Sequence, residues 1–283
     1  MSDTSTRTHH RVCHLCEAMC GLVIRTEGDK VTDIRGDKDD PLSRGHVCPK
    51  AVALQDIHED PDRLRKPLKR IRTAPGEYQH VEIEWSEALD LAANALASTI
   101  EKRGVDAIGA YFGNPSVHNY GMLTHQRNLF RHIRTRNRFS ATSVDQLPHH
   151  LVSLWCFGHM LLHPIPDVDR THYFLMLGAN PLASNGSIWT VPDVRQRLKD
   201  LKSRGGKLVV VDPRRTETAE LASEHLFIRP GTDAAFLLAM IHVLFRDDLV
   251  APGPLAAFTD GLDEVAGAVS GLSPDWAAAL TGI

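Results

Sequence analysis

Four cysteines near the N-terminus constrain this chain more than any other feature of its sequence. Cys13, Cys16, Cys20 and Cys48 follow the pattern Cys-x2-Cys-x3-Cys-x27-Cys, and Pro49 follows the last of them. Three thiols this close together leave little space for ordinary core packing, so we expect them to surround a bound group. Three close ligands and one distant ligand suit a [4Fe–4S] cube, in which each iron takes one thiolate. The spacing therefore predicts an iron–sulfur module.

Two other uses of cysteine fit the pattern less well. Zinc knuckles pair one Cys-x2-Cys with a second close pair, whereas here the fourth cysteine stands alone. A disulfide framework fits poorly with five cysteines, an odd number, and with an N-terminus that lacks an apolar signal region. These observations predict a reducing, cytoplasmic location. The fifth cysteine, Cys156, lies in the apolar run LVSLWCFG, which favours a buried free thiol.

Size and charge narrow the class of protein. The 283 residues are enough for one large domain or two ordinary ones. A net charge of −3 argues against a nucleic-acid-binding protein that works through bulk positive charge. No apolar run approaches the roughly 18 residues needed to span a membrane.

The N-terminal part, residues 1–62, is predicted to be a small cluster-binding module. Residues 21–36 alternate around a turn at 27–30, which indicates a β-hairpin. The hairpin falls between the third and fourth cysteines. Residues before the first cysteine, including the pair His9-His10, are expected to be disordered.

The rest of the chain is predicted to form α/β domains over residues 63–140 and 141–283. The stretch 63–72 carries six Lys and Arg side chains and is interpreted as a solvated connector. An apolar face at helical spacing predicts a helix over 86–104. The segment AIGAYFGNP predicts a buried strand that runs into a Gly-Asn-Pro turn, and a further helix is expected over 119–135.

Apolar strands that alternate with helices in the later part predict a doubly wound, mostly parallel sheet. The strands are expected at 172–177, 207–211 and 226–228, and the helices at about 192–203 and 233–246. No internal repeat interrupts this alternation.

A helix start is predicted at Ser273-Pro274, with serine as the N-cap and proline at the first helical position. The sequence stops about two turns later. We therefore expect a truncated product or one segment of a larger protein.

Three loops are expected beyond the carboxyl ends of the strands, where ligands bind in open α/β sheets. They are 178–185, 212–216 and 230–233. They offer short polar side chains and a carboxylate. They also contain two arginines, which can form bidentate hydrogen bonds with phosphate, and a helix N-terminus, which favours anions. Each loop alone is equally compatible with ordinary turn chemistry. Together they predict a nucleotide-containing ligand, but not a standard NAD site, because no Gly-x-Gly-x-x-Gly follows a strand.

These features together resemble the N-terminal part of the molybdenum and tungsten bis-molybdopterin guanine dinucleotide oxidoreductases, the dimethyl sulfoxide reductase family. The resemblance rests on the cysteine spacing with Pro49-Lys50, the loop Gly-Ala-Asn-Pro at 178–181, the stretch VVVDPRRTETAELASEHLFIRPGTD, and the helix AAFLLAMIHVLF after it. It covers nearly the whole chain from about residue 10 to residue 283.

The resemblance implies roles for individual residues. The cluster would relay electrons to or from the metal, and Lys50 matches the lysine that lies between cluster and pterin. The positions that match those holding the guanine dinucleotide are Asn180, Ser184, Asp212, Arg214, Thr216, Gly231 and Asp233.

In this family the metal is also held by a cysteine, selenocysteine, serine or aspartate at the start of the third domain. By spacing, Asp145 falls at that position, with Ser143 as the second candidate. Asp145 is also compatible with a helix or turn cap before Leu147-Pro148. No cysteine is present there, which separates the chain from close analogy with the cysteine- or selenocysteine-type members.

The function implied is an oxidoreductase in which a small substrate reacts at the metal and the [4Fe–4S] cluster passes electrons to a partner protein. The substrate class stays open among formate, nitrate, a sulfur oxyanion, and an N- or S-oxide. The alternative is a non-catalytic iron–sulfur electron-transfer subunit without a working pterin site. Family members continue well beyond 283 residues with a C-terminal β-barrel, so the pterin site here is expected to be incomplete.

Overall fold

The computed structural model describes residues 5–113, 116, 119–186, 189 and 191–283. The chain divides into two compact units. The first comprises Met1–Ile165 and Ile188–Pro192, and the second comprises Pro166–Ser187 and Asp193–Ile283. Among the described residues, the first unit contains three small sheets and the second contains one.

An antiparallel sheet of β1 (Thr6–Val12), β2 (Gly21–Glu27) and β3 (Lys30–Gly36) opens the first unit. The hairpin expected at residues 21–36 is confirmed, with Gly28 at φ 59° in its turn. The expectation of disorder before the first cysteine is wrong for β1, which pairs along its whole length with β2. Main-chain pairing with β2, not an apolar side-chain pattern, makes this polar segment a strand.

Two short helices follow the sheet, α1 (Pro49–Val52) and α2 (Leu54–Glu59). They cover one face of the sheet and complete a small core. The buried members of this core are Cys13, Ala18, Cys20, Leu22, Ile34 and Ala51. Two of the four cysteines are thus part of the core of the module.

A second hairpin lies where a connector was expected. It consists of β4 (Leu68–Ala74) and β5 (Glu77–Glu82), joined at Gly76. The interpretation of residues 63–72 as a solvated connector is therefore wrong for the part that belongs to β4. Alternation places Leu68, Arg70 and Arg72 on one face, and all three are exposed.

The long helix α3 (Trp85–Arg103) confirms the predicted helix and ends at Gly104, whose φ is 82°. Its apolar face is not buried, since Leu89 is 63% exposed. A short 3-10 helix, Val105–Ala107, follows it.

The strands β6 (Ala110–Phe112) and β7 (Arg138–Ser140) are parallel and flank α4 (Tyr120–Ile133), which confirms the helix expected at 119–135. The prediction of a buried strand is wrong for β6, because Tyr111 is 71% exposed. Among the strands that the structure describes, β6 pairs only with β7. The predicted Gly-Asn-Pro turn includes Asn114 and Pro115, which lie outside the described residues.

Two helices close the first unit, α5 (Thr142–Asp145) and α6 (Leu147–Phe157). The residues that α6 buries are polar, His150 and Ser153. Cys156 lies on its exposed side, so the expectation of a buried thiol is wrong. The apolar run forms a helix that turns Cys156 away from the side that packs.

The second unit is built on a parallel sheet of β8 (Tyr173–Leu177), β9 (Lys207–Val211) and β10 (Glu224–Leu226). The central strand is β9, and four of its five residues are buried. The third strand begins two residues before the predicted position. The predicted parallel α/β arrangement is confirmed for this sheet.

Helices connect and flank these strands. In chain order they are α7 (Pro181–Ser184), α8 (Val194–Ser203), α9 (Glu217–Leu221), α10 (Asp233–Arg246), α11 (Leu262–Val269) and α12 (Pro274–Thr281), with a 3-10 helix at Gly253–Phe258. The amphipathic α8 contributes Leu198 and Leu201, which are fully buried. Among the helices of the described ranges, none has both the length and the apolar character needed to cross a bilayer.

The last helix begins as the sequence predicts. Ser273 Oγ accepts a 3.2 Å hydrogen bond from the Trp276 amide, and Pro274 occupies the first turn. The helix packs on α10, and Arg229 reaches its carboxyl end, donating from its amide to Thr281 O at 2.9 Å. A cation at this end also opposes the negative pole of the helix dipole.

Candidate functional site

The first three cysteines lie in the connection between β1 and β2. Cys13 directly follows β1, and Cys20 directly precedes β2. The Cys13 amide donates a 2.9 Å hydrogen bond to Cys20 O, which closes the connection into a loop. Met19 takes a left-handed conformation at φ 48°, which turns the chain back before Cys20. Antiparallel pairing thus brings two of the predicted ligands side by side.

The fourth cysteine arrives on a separate loop after β3. Two glycines allow this loop to lie close to the sheet, because a Cβ on Gly36 would sit 2.0 Å from Gly45 O. Gly45 itself has a φ of 86°, a conformation that glycine adopts without strain. The loop ends at Cys48, which is the N-cap residue of α1.

A buried serine fastens this loop to the first cysteines. Ser43 Oγ accepts a 3.0 Å hydrogen bond from the Gly21 amide, next to Cys20. The same hydroxyl donates to Asp40 Oδ2 at 2.5 Å, and the Ser43 amide donates to that oxygen at 2.7 Å. The Ser43 side-chain hydrogen bond is the main cause that lowers the pKa of Asp40, so this carboxylate stays charged and holds the loop.

Two of the four cysteine thiols, those of Cys13 and Cys20, have raised pKa values. Burial raises the pKa of Cys13, with the nearby Cys16 and Cys48 adding to the effect and a backbone hydrogen bond from Leu15 opposing it. Burial, followed by the charges of the neighbouring cysteines, raises the pKa of Cys20 to about 11. Four thiolates cannot share this space without a positive group among them. An iron–sulfur cluster supplies that charge, so the donor set fits it.

The described residues contain no group of three or more His, Cys, Asp or Glu side chains arranged to hold one metal ion. In a [4Fe–4S] cube each thiolate binds a different iron. Cysteines around a cube therefore need not converge on a single point.

Lys50 and Asp145 are both accessible. Lys50 lies in the first turn of α1, two residues after Cys48, and is exposed. Asp145 is the last residue of α5, and Ser143 lies in the same helix; both are exposed. Within the described part of the chain, the Asp145 carboxylate accepts no hydrogen bond and caps no helix. The assignment of either residue to the metal stays a prediction.

His150, on the helix after Asp145, contacts His163, which lies beyond the end of that helix and which the sequence analysis did not single out. His150 Nδ1 lies 2.8 Å from Met160 O, and Ser153 Oγ lies 2.9 Å from His163 Nδ1. The His150 and His163 rings contact edge to face at 4.9 Å. Burial is the main cause that lowers the pKa of His163, and its histidine neighbours add to it. Only the polar pair His150 and Ser153, three residues apart on α6, could have indicated that this helix packs through polar groups.

The second candidate site lies at the carboxyl ends of β8 and β9. The Gly178 amide donates to Val211 O at 2.9 Å, which holds the two strand ends together. Asn180 then links the loops, since its Nδ2 donates to Glu217 Oε2 at 2.9 Å and its Oδ1 accepts from Thr218 Oγ1 at 2.7 Å. The Asn180 hydrogen bond is the main cause that lowers the pKa of Glu217.

The loop after β9 is held by its own polar side chains. Buried Asp212 accepts a 2.7 Å hydrogen bond from the Arg214 amide, and its carbonyl lies 3.0 Å from His225 Nε2. Thr216 caps α9 by accepting from the Ala219 amide at 3.1 Å. These internal bonds leave the Arg214 side chain exposed to meet an anion.

The third loop leads into α10. Gly231 has a φ of 80° and open space beside it, so a ligand can approach its backbone. Asp233 is the first residue of α10 and is partly exposed. Ser184, in the first of the three loops, is exposed at the end of α7. The structure thus places all seven predicted dinucleotide residues in the loops at one end of the sheet's strands or directly after them; their roles stay predictions.

Sequence reasoning missed the two residues that position Asn180. Glu217 and Thr218 belong to the DPRRTETA stretch, whose earlier residues were interpreted as ligand contacts. Thr218 is fully buried and also accepts a 3.3 Å hydrogen bond from the Leu182 amide. The signal that could have found it is a threonine at an inward position of a short helix, which needs a polar partner.

Comparison with known families adds independent findings. Residues 6–59 match the Molybdopterin oxidoreductase Fe4S4 domain, and residues 63–268 match the Molybdopterin oxidoreductase family. The first match contains the four cysteines, and the second contains all three loops. The cofactors these domains are named for are a [4Fe–4S] cluster and a molybdopterin.

Individual relatives cover almost all of this chain. It is 28% identical to "Probable oxidoreductase YoaE" of Bacillus subtilis over 96% of its length and 39% of the relative's. It is also 28% identical to "Formate dehydrogenase H" of Escherichia coli, over 96% of its length and 37% of the relative's.

A solved structure is similar as well. "Acetylene Hydratase from Pelobacter acetylenicus" superposes with a TM-score of 0.75 at 28% identity, over 96% of this chain and 36% of the hydratase. The chain spans less than two fifths of the length of each of these relatives. The two family matches include the four cysteines and the three loops at the strand ends. The chain therefore belongs to the molybdopterin oxidoreductase family.

Proposed function

We propose that this chain is the cluster-bearing part of a molybdenum or tungsten oxidoreductase that uses a bis-molybdopterin guanine dinucleotide cofactor. In this proposal a small substrate reacts at the metal, and electrons move between the metal and an N-terminal [4Fe–4S] cluster. A partner protein exchanges electrons with the cluster. The observation that carries the proposal is the four-cysteine cradle. Burial, with the charges of neighbouring cysteines adding to it, disfavours free thiolates at Cys13 and Cys20, and the iron atoms of a cluster would balance those charges.

The residues around the cradle have structural tasks in this proposal. Cys13, Cys16, Cys20 and Cys48 hold the cluster. Ser43 and Asp40 hold the fourth cysteine at the correct distance from the others. The cluster supplies one-electron transfer when it is bound.

The exposed Lys50 ammonium is proposed to lie on the electron path between cluster and pterin. Its position two residues from Cys48 keeps a positive charge close to the cluster. Asp145, with its unpartnered carboxylate at the end of α5, is proposed as the protein ligand of the metal, and Ser143 is the second candidate. A carboxylate is a hard oxygen donor and suits an oxidised metal centre.

The loops of the second unit are proposed to hold one guanine dinucleotide. Arg214 would bind phosphate oxygens, and Asp212 would accept hydrogen bonds from the guanine or ribose. Gly231 allows close backbone approach beside the start of α10, whose N-terminus favours anions. Asn180, Ser184, Thr216 and Asp233 would supply the remaining polar contacts.

Metal content after anaerobic reconstitution tests the proposal. We expect about four iron and four sulfide per chain, and molybdenum or tungsten with pterin dinucleotide in the protein as isolated. Cys48→Ala should lose most of the iron, whereas Cys156→Ala, which changes an exposed thiol outside the cradle, should retain it. Iron without molybdenum or tungsten would favour the non-catalytic electron-transfer subunit. Zinc in place of iron would reject both.

A further inference from the structure

A pocket of about 370 Å³ lies in the first unit, away from the cysteine cradle in the sequence. It is lined by Phe112, Gln126, Arg127, Phe130, Arg131 and Arg138. The helix α4 supplies four of these residues, and the ends of β6 and β7 supply the other two. The volume falls in the range of about 300–1,000 Å³ that is typical of small-molecule sites.

The pocket is lined by three arginines and by no acidic side chain. The sequence contains no Asp or Glu between Asp106 and Asp145. In the ranges that the structure describes, Arg127 and Arg131 form no ion pair. They lie four residues apart on one helix, where two like charges repel. An anion in the pocket would remove this repulsion.

Arg138 is already oriented toward the same space. Its Nε donates to Thr135 O at 3.1 Å and its Nη2 donates to Phe130 O at 3.2 Å. Its guanidinium also lies over the Phe130 ring, 5.0 Å from the centroid. A guanidinium has five N–H groups, so this fixed side chain keeps donors for a ligand.

Two further observations indicate more than a bare inorganic ion. Among the residues that the structure describes, none forms a hydrogen bond with the buried Gln126 Oε1, so the site offers an unused polar group. The rings of Phe112 and Phe130 contact edge to face at 5.1 Å and form an apolar wall. A ligand that fills the pocket would carry an anionic group and an apolar or aromatic part.

We propose that this pocket binds a small organic phosphate. The phosphate lies among Arg127, Arg131 and Arg138, and the organic part lies against Phe112 and Phe130. Arginine is suited to this task because its planar fork bonds two phosphate oxygens at once. The site requires neither the cluster nor the metal, so it stands or falls separately from the proposed oxidoreductase function.

Titration calorimetry with phenyl phosphate tests the proposal on the 283-residue chain. We expect one saturable site with a dissociation constant below about 1 mM at low ionic strength, weakened by added salt. Inorganic phosphate should bind at least about tenfold more weakly, because it makes no contact with the rings. The double variant Arg127→Gln/Arg131→Gln should lose at least about tenfold in affinity for phenyl phosphate.

Two control variants locate the site. Arg103→Gln removes an exposed arginine of α3 and should bind phenyl phosphate as the unchanged chain does. Arg214→Gln removes a charge from the predicted dinucleotide loops and asks whether phenyl phosphate binds there instead; affinity for the pocket of Arg127, Arg131 and Arg138 should stay the same. Circular dichroism of each variant confirms that it folds.

The proposal is overturned by the absence of saturable binding, by undiminished binding in the double variant, or by loss of binding in Arg214→Gln, which would place the phosphate in the dinucleotide loops. Equal affinity for phosphate and phenyl phosphate would overturn the assignment to an organic ligand.

Discussion

Thr218 donates a 2.7 Å hydrogen bond to the side-chain oxygen of Asn180, which lies 38 residues earlier in the chain. This bond joins the loop after β8 to the helix after β9. It limits what Asn180 can offer a ligand, because its oxygen already accepts one hydrogen bond and one of its N–H groups is bound to Glu217. The candidate dinucleotide site is therefore shaped by a residue that has no solvent exposure itself.

Replacing Thr218 with valine should destabilise the second unit. The change leaves the Leu182 amide and the Asn180 oxygen without their partner. An unsatisfied buried polar group costs about 1–3 kcal/mol, and the free energy of unfolding in urea should fall by that amount. Thr218→Ser keeps the hydroxyl and should restore most of the loss. If the valine variant were as stable as the serine variant, the hydroxyl would not be holding the two loops together.

Replacing Ser43 with alanine should loosen the fourth cluster ligand. The buried Gly21 amide would lose its acceptor, and Asp40 would lose its strongest donor. We expect a loss of about 1–3 kcal/mol in unfolding free energy, and faster loss of iron from the reconstituted protein to a chelator.

The matched control is Ser270→Ala, which removes an exposed hydroxyl that donates to Gly267 O within its own helix end. Its iron should leave at the rate of the unchanged protein. Equal rates in Ser43→Ala and Ser270→Ala would show that Cys48 is positioned by other contacts.

The cluster-free chain should become less stable in alkaline solution. The pKa of the Cys20 thiol is raised from 9.0 to about 11, so the folded chain holds this proton more tightly than the unfolded chain. The stabilisation is complete below pH 9 and is lost as the pH rises toward 11. Melting temperatures measured across this interval should fall.

The decline should be shallower in Cys20→Ser, whose hydroxyl does not ionise in this range. Cys156→Ser changes an exposed thiol and should keep the full decline. Identical slopes in all three proteins would mean that Cys20 does not contribute.

If Asp145 holds the metal, Asp145→Ala in the metal-loaded protein should abolish turnover and change the Mo(V) EPR signal. The EPR signal of the iron–sulfur cluster should be unaffected, because Asp145 is not one of the cluster cysteines. Ser143→Ala tests the second candidate, which lies two residues earlier on the same exposed helix. An unchanged Mo(V) signal in Asp145→Ala, with a changed signal in Ser143→Ala, would move the assignment to Ser143.

The sequence was sufficient to predict the cluster module and the parallel sheet, for different reasons. The cysteine spacing is a chemical pattern that few other sites require. The strands at Tyr173–Leu177 and Lys207–Val211 form continuous apolar runs apart from the first residue of the second, Lys207, and such runs are typical of strands in parallel sheets. Local composition alone carries both signals.

What the sequence did not predict depends on partners distant in the chain. The segment Thr6–Val12 is polar on both faces and becomes a strand only because β2 lies beside it. The orientation of Cys156 depends on which side of α6 packs, and that side carries His150 and Ser153. One missed feature had a local signal, since the Pro75-Gly76 pair marks the turn of the second hairpin.

The bond from Arg229 to the last helix affects how this protein can be divided for experiments. The family match ends at residue 268, but Arg229 donates to the carbonyls of Ala279 and Thr281, both beyond that point. A chain cut at the end of the match would keep every predicted dinucleotide residue. It would still lose the hydrogen bonds that hold Arg229, just before Gly231, to the last helix. It would also expose the side of α10 on which α12 packs. The smallest piece that preserves this loop therefore extends through Gly282, and alignment alone would set its boundary too early.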